Sequence, residues 1–346
     1  MPDESIQAAL KAHPVADLAW LARRKEEIVE PALPIIDPHH HLWDHPGDRY
    51  LLDEALQDFT SGHNVVATVH LQCRSMYRAS SPEEFKPVGE TEFINGIAAQ
   101  SASGLYGPTK VCAGIVGTVD LLLGNRVEPV LESHLAAGGD RFRGVRPTIV
   151  WHESKEVLPA DNVPNVLSRP EAMAAVKSIS KFGLSLDLWA FFTQLDEVAQ
   201  VCRDNPDLTV VVNHAGGPLG IGPYADRRED VFVEWRKKLE IVSRCENAVI
   251  KLGGLAMRYG GFAFNELPEP PSSDLLVENW KRYFDVCIEL FGPQRCMFES
   301  NFPVDRGMCS YQVLWNAFKK LTRQFSETER QCLFSGTAAR VYRLAD

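Results

Sequence analysis

The stretch Ile35-Ile36-Asp37-Pro38-His39-His40-His41-Leu42-Trp43-Asp44 decides how the rest of the chain is read. An apolar run ends in an acidic residue, and imidazoles then stand at alternate positions. Successive side chains of an extended chain point to opposite sides. If residues 33–37 form a buried strand, His39 and His41 share one side just past its end. His40 then faces the other way, packed or solvated. Two neutral imidazoles on one side of a strand's carboxyl end are half of a divalent-metal site. Tags and surface tracts also concentrate histidine, but this cluster is internal and flanked by Ile36 and Trp43.

Outward from this strand, short β-branched runs recur at 65–71, 111–119, 142–150, 184–188, 208–213, 248–252 and 296–299. Helix-like segments accompany them at 91–102, 126–137, 170–182, 193–205, 231–245, 274–291 and 310–325. With the first strand at 35–37 there are eight strands, each followed by a crossover of helical length. Near-continuous apolar strands in repeated βα units imply a parallel sheet covered on both faces. Eight such units predict an α/β fold of one domain, a (β/α)8 TIM-type barrel over 35–346. No low-complexity linker or composition break divides it. Residues 1–34 read as an N-terminal extension with a helix over 17–30 and a turn at Pro31 and Pro34. Such barrels work from the loops at the carboxyl ends of their strands. The long loops 151–169 and 253–273 are therefore expected to wall a pocket.

Composition narrows the partners. The 346 residues are 45% hydrophobic and carry a formal charge of −10. A chain without a basic face suits a small-molecule substrate better than nucleic acid or an anionic membrane. A local Arg or His cluster can still serve an anionic substrate. Met1-Pro2-Asp3-Glu4-Ser5 lacks the basic and apolar regions of a signal peptide. No run of roughly eighteen apolar residues could span a bilayer. Cys73, Cys112, Cys202, Cys245, Cys287, Cys296, Cys309 and Cys332 are scattered, with no Cys-x-x-Cys pair. Reduced thiols in a cytoplasmic protein follow from that spacing.

The strand ends hold most of the reactive side chains. Strand one ends in Asp37, His39 and His41, and strand two in His70 and Gln72. Strand four carries Arg143 and Arg146 and leads into Trp151-His152-Glu153. Strand six runs Val210-Val211-Val212-Asn213-His214-Ala215-Gly216-Gly217-Pro218, and strand eight Phe298-Glu299-Ser300-Asn301-Phe302-Pro303-Val304-Asp305. The glycines at 216–222 lack the Lys-Ser/Thr ending of a phosphate loop and read as a rigid turn. Lys251, in strand seven, reads as an ion-pair partner. Trp43, Trp151 and Trp189 suit packing or a pocket wall.

Asp-x-His-x-His-x-Trp, Asn-His-Ala-Gly-Gly-Pro and Ser-Asn-Phe-Pro-Val-Asp, in that order, resemble the amidohydrolase superfamily. The nearest branch is amidohydrolase-2, which holds sugar-acid lactonases and 2-pyrone-4,6-dicarboxylate lactonase. The resemblance covers roughly residues 35–344. It implies a metal set of His39, His41 and His214, completed by His152 or Glu299, with zinc the expected ion. It also allows metal-free action, in which His and Arg polarise a lactone carbonyl. The chain departs from the family where Asn301 replaces the Asp that serves as general base, since a neutral amide cannot take a proton from water. Gln72 stands where a Glu is frequent, and residues 188–194 lack the histidine often found after strand five.

The resulting expectation is a hydrolase of a small, anionic cyclic ester. His39, His41, His214 and Asn301 would be catalytic, with Asp305, Glu299 or a histidine as base. Arg146, His152, Trp43 and Gln72 would contact substrate, Arg146 as a carboxylate clamp. Asp37 would orient an imidazole. A decarboxylase or hydratase of an aromatic or unsaturated acid on the same barrel is the alternative, as is a ligand-binding homologue without catalysis. By resemblance, a homo-oligomer is also expected.

Overall fold

The computed structural model describes residues 13–344. The β-branched runs form the staves of a parallel barrel: β1 (Pro34–His40), β2 (Asn64–Leu71), β3 (Lys110–Gly117), β4 (Phe142–Val145), β5 (Ser185–Leu188), β6 (Val210–Val212), β7 (Ala248–Leu252) and β8 (Cys296–Phe298). They lie side by side in sequence order, each parallel to the next. The last seam closes just past β8. Asn301 N donates to His39 O at 2.9 Å, and His41 N to Phe302 O at 2.7 Å. The buried Asp37 carboxylate clasps this seam, accepting from Ser300 N and from the Tyr311 hydroxyl, each at 3.0 Å. Asp37 thus orients backbone, not the imidazole expected of it, and its burial pushes the carboxyl up to about 6.

Both faces of the strands are apolar because both are covered. Inside, Ile36, Val69, Val116, Val211 and Met297 pack together with Val341 and Tyr342. The last two belong to the terminal helix, Thr337–Val341, and to the residue after it. That segment therefore plugs the barrel from the end opposite the strands' carboxyl ends. Outside, the strands pack on the crossover helices. Two of these begin at serines whose hydroxyls cap the first turn: Ser272 before Ser273–Phe291 and Ser310 before Tyr311–Leu321.

Three boundaries differ from the sequence expectation. β1 continues through His40, so His39 lies within the strand. β4 stops at Val145 instead of residue 150, because Pro147 has no N–H to extend the ladder. That places Arg146 at the strand's carboxyl end. The helix expected over 17–30 shrinks to Leu18–Leu21, capped by Asp17. Beyond it the chain finds tertiary partners for its backbone: Val29 N donates to Asn316 Oδ1 at 2.8 Å, and Lys319 Nζ to Glu30 O at 2.8 Å. Those bonds satisfy the groups that a helix would have paired. The first crossover holds a helix, Leu52–Phe59, and a small hairpin of Trp43–His45 with Asp48–Tyr50, neither foreseen from the sequence.

All eight cysteines are free thiols. Among the described residues, no helix is long and apolar enough to cross a membrane. The first twelve residues, including the N-terminus read above, lie outside the described range.

Candidate active site

Glu299, one residue past β8, is the hub of the strand-end cluster, and it is fully buried. Its Oε1 accepts from the His214 backbone N at 3.0 Å and lies 2.7 Å from His214 Nδ1. Its Oε2 lies 2.5 Å from His39 Nδ1, yet off the line of a hydrogen bond, so both atoms lack a hydrogen-bond partner. The His39 ring is 4.6 Å from that of His214 and 5.0 Å from that of His41, centre to centre. Two glycines make room for the hub. A Cβ on Gly253 would sit 2.4 Å from Glu299 Cγ, and one on Gly254 would sit 2.4 Å from His214 Nδ1.

Hydrogen-bond partners assign the ring protons. His41 Nδ1 is 2.8 Å from the Leu71 carbonyl, which can only accept. The proton therefore sits on Nδ1 and the lone pair on Nε2. The same holds for His214, whose Nδ1 faces the Glu299 carboxylate. His39 Nε2 takes a hydrogen bond from Arg146 Nη1 at 3.0 Å, so its lone pair is already used. Burial is the main force pushing all three imidazoles below their ordinary range, aided by Lys251 at His39 and by Arg146 at His41. Glu299 opposes that shift at His214. Neutral rings result, with two free Nε2 lone pairs.

Those lone pairs belong to rings lining a cavity of about 750 Å³ at the barrel mouth, a size suited to a small organic ligand. Trp43, Gln72, Arg146 and Asn301 line it as well. Arg146 is held by three contacts: the bond to His39, a bond from Nη2 to Gln72 O, and a bond from Gln72 Nε2 to its own carbonyl. Its pKa is lowered by burial, but a guanidinium so basic keeps its charge. Asn301 sits at φ 57°, a left-handed conformation that asparagine tolerates better than most residues. Its Nδ2 donates one hydrogen to Asp305 Oδ1 at 2.8 Å and has a second to offer. The acidic side chains on the wall are engaged: Asp48 accepts from Trp43 Nε1, and Asp161 pairs with Lys155.

Some candidates lie elsewhere. His40 turns away and packs on Phe59, with Nε2 2.9 Å from Thr68 Oγ1. His152 does not line the cavity; its ring nitrogens meet the Tyr224 hydroxyl at 3.0 Å and Ser154 N at 2.9 Å. Lys251 pairs with Asp187 at 2.9 Å, inside the barrel. A feature with no sequence signal is the segment 13–16, which helps line the cavity from the N-terminal extension.

His39, His214 and Glu299 place two imidazole nitrogens and a carboxylate oxygen within 4.8 Å of one another. That buried N/O set is the type a divalent ion takes, and His39 joins it only by exchanging its hydrogen bond from Arg146 for the ion. His41, expected in the set, is outside this group. Neither His39 nor Glu299 lines the cavity.

A model of the amidohydrolase family matches residues 36–344. The chain belongs to that family. This amidohydrolase is 32% identical over 334 residues to the uncharacterized protein y4mH of Sinorhizobium fredii, covering 90% of this chain and 98% of that one. It is 26% identical over 329 residues to L-fucono-1,5-lactonase of Burkholderia multivorans, covering 90% and 96%. The crystal structure of an amidohydrolase from Burkholderia multivorans with bound zinc shares the fold. Its TM-score is 0.67 at 23% identity, covering 90% of this chain and all of that one.

Proposed function

We propose that this amidohydrolase hydrolyses a small lactone bearing an anionic group. The observation that carries the reading is the pair of cavity-lining imidazoles with bare Nε2 atoms, set beside a guanidinium and a spare amide N–H. His214, backed by Glu299, takes a proton from water, and His41 Nε2 accepts the water's other hydrogen and so fixes its direction. The oxygen attacks the carbonyl carbon while Asn301 Nδ2 donates to the developing oxyanion. The ring C–O bond then breaks, and the protonated His214 returns its proton to the departing oxygen, leaving a hydroxy acid. His39 acts through Arg146, which it orients; Arg146 and Arg74, both on the cavity wall, suit a carboxylate. The lactonase of Burkholderia multivorans supports the reaction class.

The zinc-bound Burkholderia structure supports a second arrangement, in which His39, His214 and Glu299 would hold a single divalent ion and the His214 lone pair would serve the ion in place of the proton. When bound, the ion would supply Lewis-acid polarisation of a carbonyl or acidify a water.

Proton release during incubation with sugar-acid lactones, 2-pyrone-4,6-dicarboxylate and muconolactones tests the proposal, with and without chelator. Turnover of at least one substrate is expected, and His41→Ala should abolish it with the fold intact by circular dichroism. No turnover across the three classes sinks the reading. Carbon dioxide released from a carboxylated aromatic acid in its place would identify a decarboxylase.

A further inference from the structure

A second cluster of ligating side chains stands in the cavity wall, with no part in the chemistry above. His70 lies in β2, Cys73 just past its end, and Glu90 in the helix Val88–Ala102 that packs behind. Glu90 is 3% exposed and His70 fully buried, while Cys73 is half-buried and lines the cavity. Glu90 Oε1 lies 3.3 Å from His70 Nε2 and 3.2 Å from Cys73 Sγ. One ligand atom from each residue falls within 4.8 Å of the others.

The carboxylate has a bland duty, since Oε1 also accepts from Cys73 N at 2.7 Å and so ties down the turn after β2. In the ion's absence the same oxygen also takes hydrogen bonds from the Cys73 thiol and His70 Nε2, so this duty loads one carboxylate oxygen and leaves the other unused. Glu90 Oε2 and His70 Nδ1 are both buried without a hydrogen-bond partner. A buried carboxylate oxygen is costly to leave unpaired. Tetrahedral zinc with ordinary Zn–S, Zn–N and Zn–O distances sets its ligand atoms about 3.3–3.7 Å apart. The separations close to that range run from Glu90 Oε1 to His70 Nε2 and Cys73 Sγ, so these three are the ligand atoms, and the unpartnered Oε2 lies on the same carboxylate as the liganding oxygen.

We propose that His70, Cys73 and Glu90 form a binding site for a thiophilic divalent cation of the zinc type, distinct from the His39–His214–Glu299 group. Thiolate, imidazole and carboxylate are the N/S/O set such an ion prefers over calcium or magnesium. Binding exchanges water on the aquo ion for the three side chains. The Cys73 S–H bond breaks, its electron pair goes to the metal, and one proton is released to solvent. Only Cys73 of the three lines the cavity, so the ion's fourth position opens there, toward water or a substrate oxygen. The site does not depend on the lactonase reading.

Cobalt(II) separates the two groups, because only one contains sulfur. Protein stripped of metal and titrated with Co²⁺ is expected to develop a near-ultraviolet thiolate-to-cobalt charge-transfer band, with one proton released per ion in that phase. Cys73→Ser should lose the band and one bound equivalent. Glu299→Gln should keep the band, whatever happens to lactone turnover. The wild-type spectrum needs no variant to fold: its lack of a thiolate band at saturating Co²⁺ would overturn the site. A band of undiminished intensity in Cys73→Ser would assign the sulfur to another cysteine and overturn it equally.

Discussion

Two carboxylates, Asp187 on β5 and Glu299 past β8, are both fully buried in the same barrel, yet their surroundings differ. Asp187 is paired with the Lys251 ammonium at 2.9 Å. It also accepts from the Tyr342 hydroxyl at 2.7 Å, Asn213 Nδ2 at 3.2 Å and Ser185 Oγ at 3.3 Å. Charge is cancelled on contact and both oxygens are used. Glu299 has two neutral imidazoles for neighbours, and its Oε2 has no hydrogen bond. Its balancing cations, Lys251 and Arg146, stand farther off. A buried charge that is closed in this way holds a barrel together, whereas one left incompletely satisfied beside a cavity is available for chemistry.

The largest expected effects set these two against each other. Lys251→Met removes the ammonium and strands the Asp187 carboxylate, which should cost about 3–5 kcal/mol of stability, read as a large fall in thermal midpoint. Glu299→Gln keeps the shape and still accepts from His214 N. It should melt near wild type while losing about two or more orders of magnitude in kcat/KM, the scale expected when a histidine base is deprived of the carboxylate that orients it. If Lys251→Met melts normally, or Glu299→Gln turns over at the wild-type rate, the distinction between the two carboxylates fails.

That distinction was only half legible in the sequence. Lys251 reads as an ion-pair partner because an ammonium in an apolar strand needs one, and the structure supplies Asp187. The barrel was legible for a similar reason: eight apolar runs, each too long and too greasy to face water, leave few other architectures. Glu299 was one candidate among several, because its role depends on Gly253 and Gly254 on a neighbouring strand end giving it and His214 room. His152 misled because sequence adjacency to a strand says nothing about which way a loop turns; Tyr224 and Ser154 take both its nitrogens. The sequence carries β4 on to residue 150 although Pro147 marks its end, and Arg146, read as a carboxylate clamp, stands at that end and not within the strand. The segment 13–16 carried no signal at all, since its partners lie far away in sequence.

Asn301 tests the site from the other side of Glu299. Asn301→Asp introduces the residue that the resemblance led one to expect, but replaces an amide donor with a second carboxylate, next to Asp305. Burial and the nearby Glu299 already hold the Asp305 carboxyl well above its ordinary range, so a further negative charge there is unfavourable. An oxyanion donor is typically worth about 3 kcal/mol, and losing it should lower kcat by two or more orders of magnitude. Wild-type or better turnover across pH would show that Asn301 is not the donor.

Arg146→Lys should have the smallest effect, and it asks whether the cation in the wall is a clamp or a strut. The guanidinium presently reaches His39 Nε2 and Gln72 O at once; an ammonium on a different stem cannot span both and keep a fork for a carboxylate. The positive charge remains, so Glu299 keeps its distant compensation and the barrel should stay folded. Binding of an anionic lactone should weaken by roughly 1–2 kcal/mol, the difference between a bidentate charged pair and a single one. A clamp that holds substrate equally in the ground and transition states raises KM and leaves kcat nearly unchanged. A neutral lactone of the same ring size should then be indifferent to the substitution. An unchanged KM for the anionic substrate, together with a lower melting temperature, would make Arg146 a structural residue and remove it from the proposed anion site.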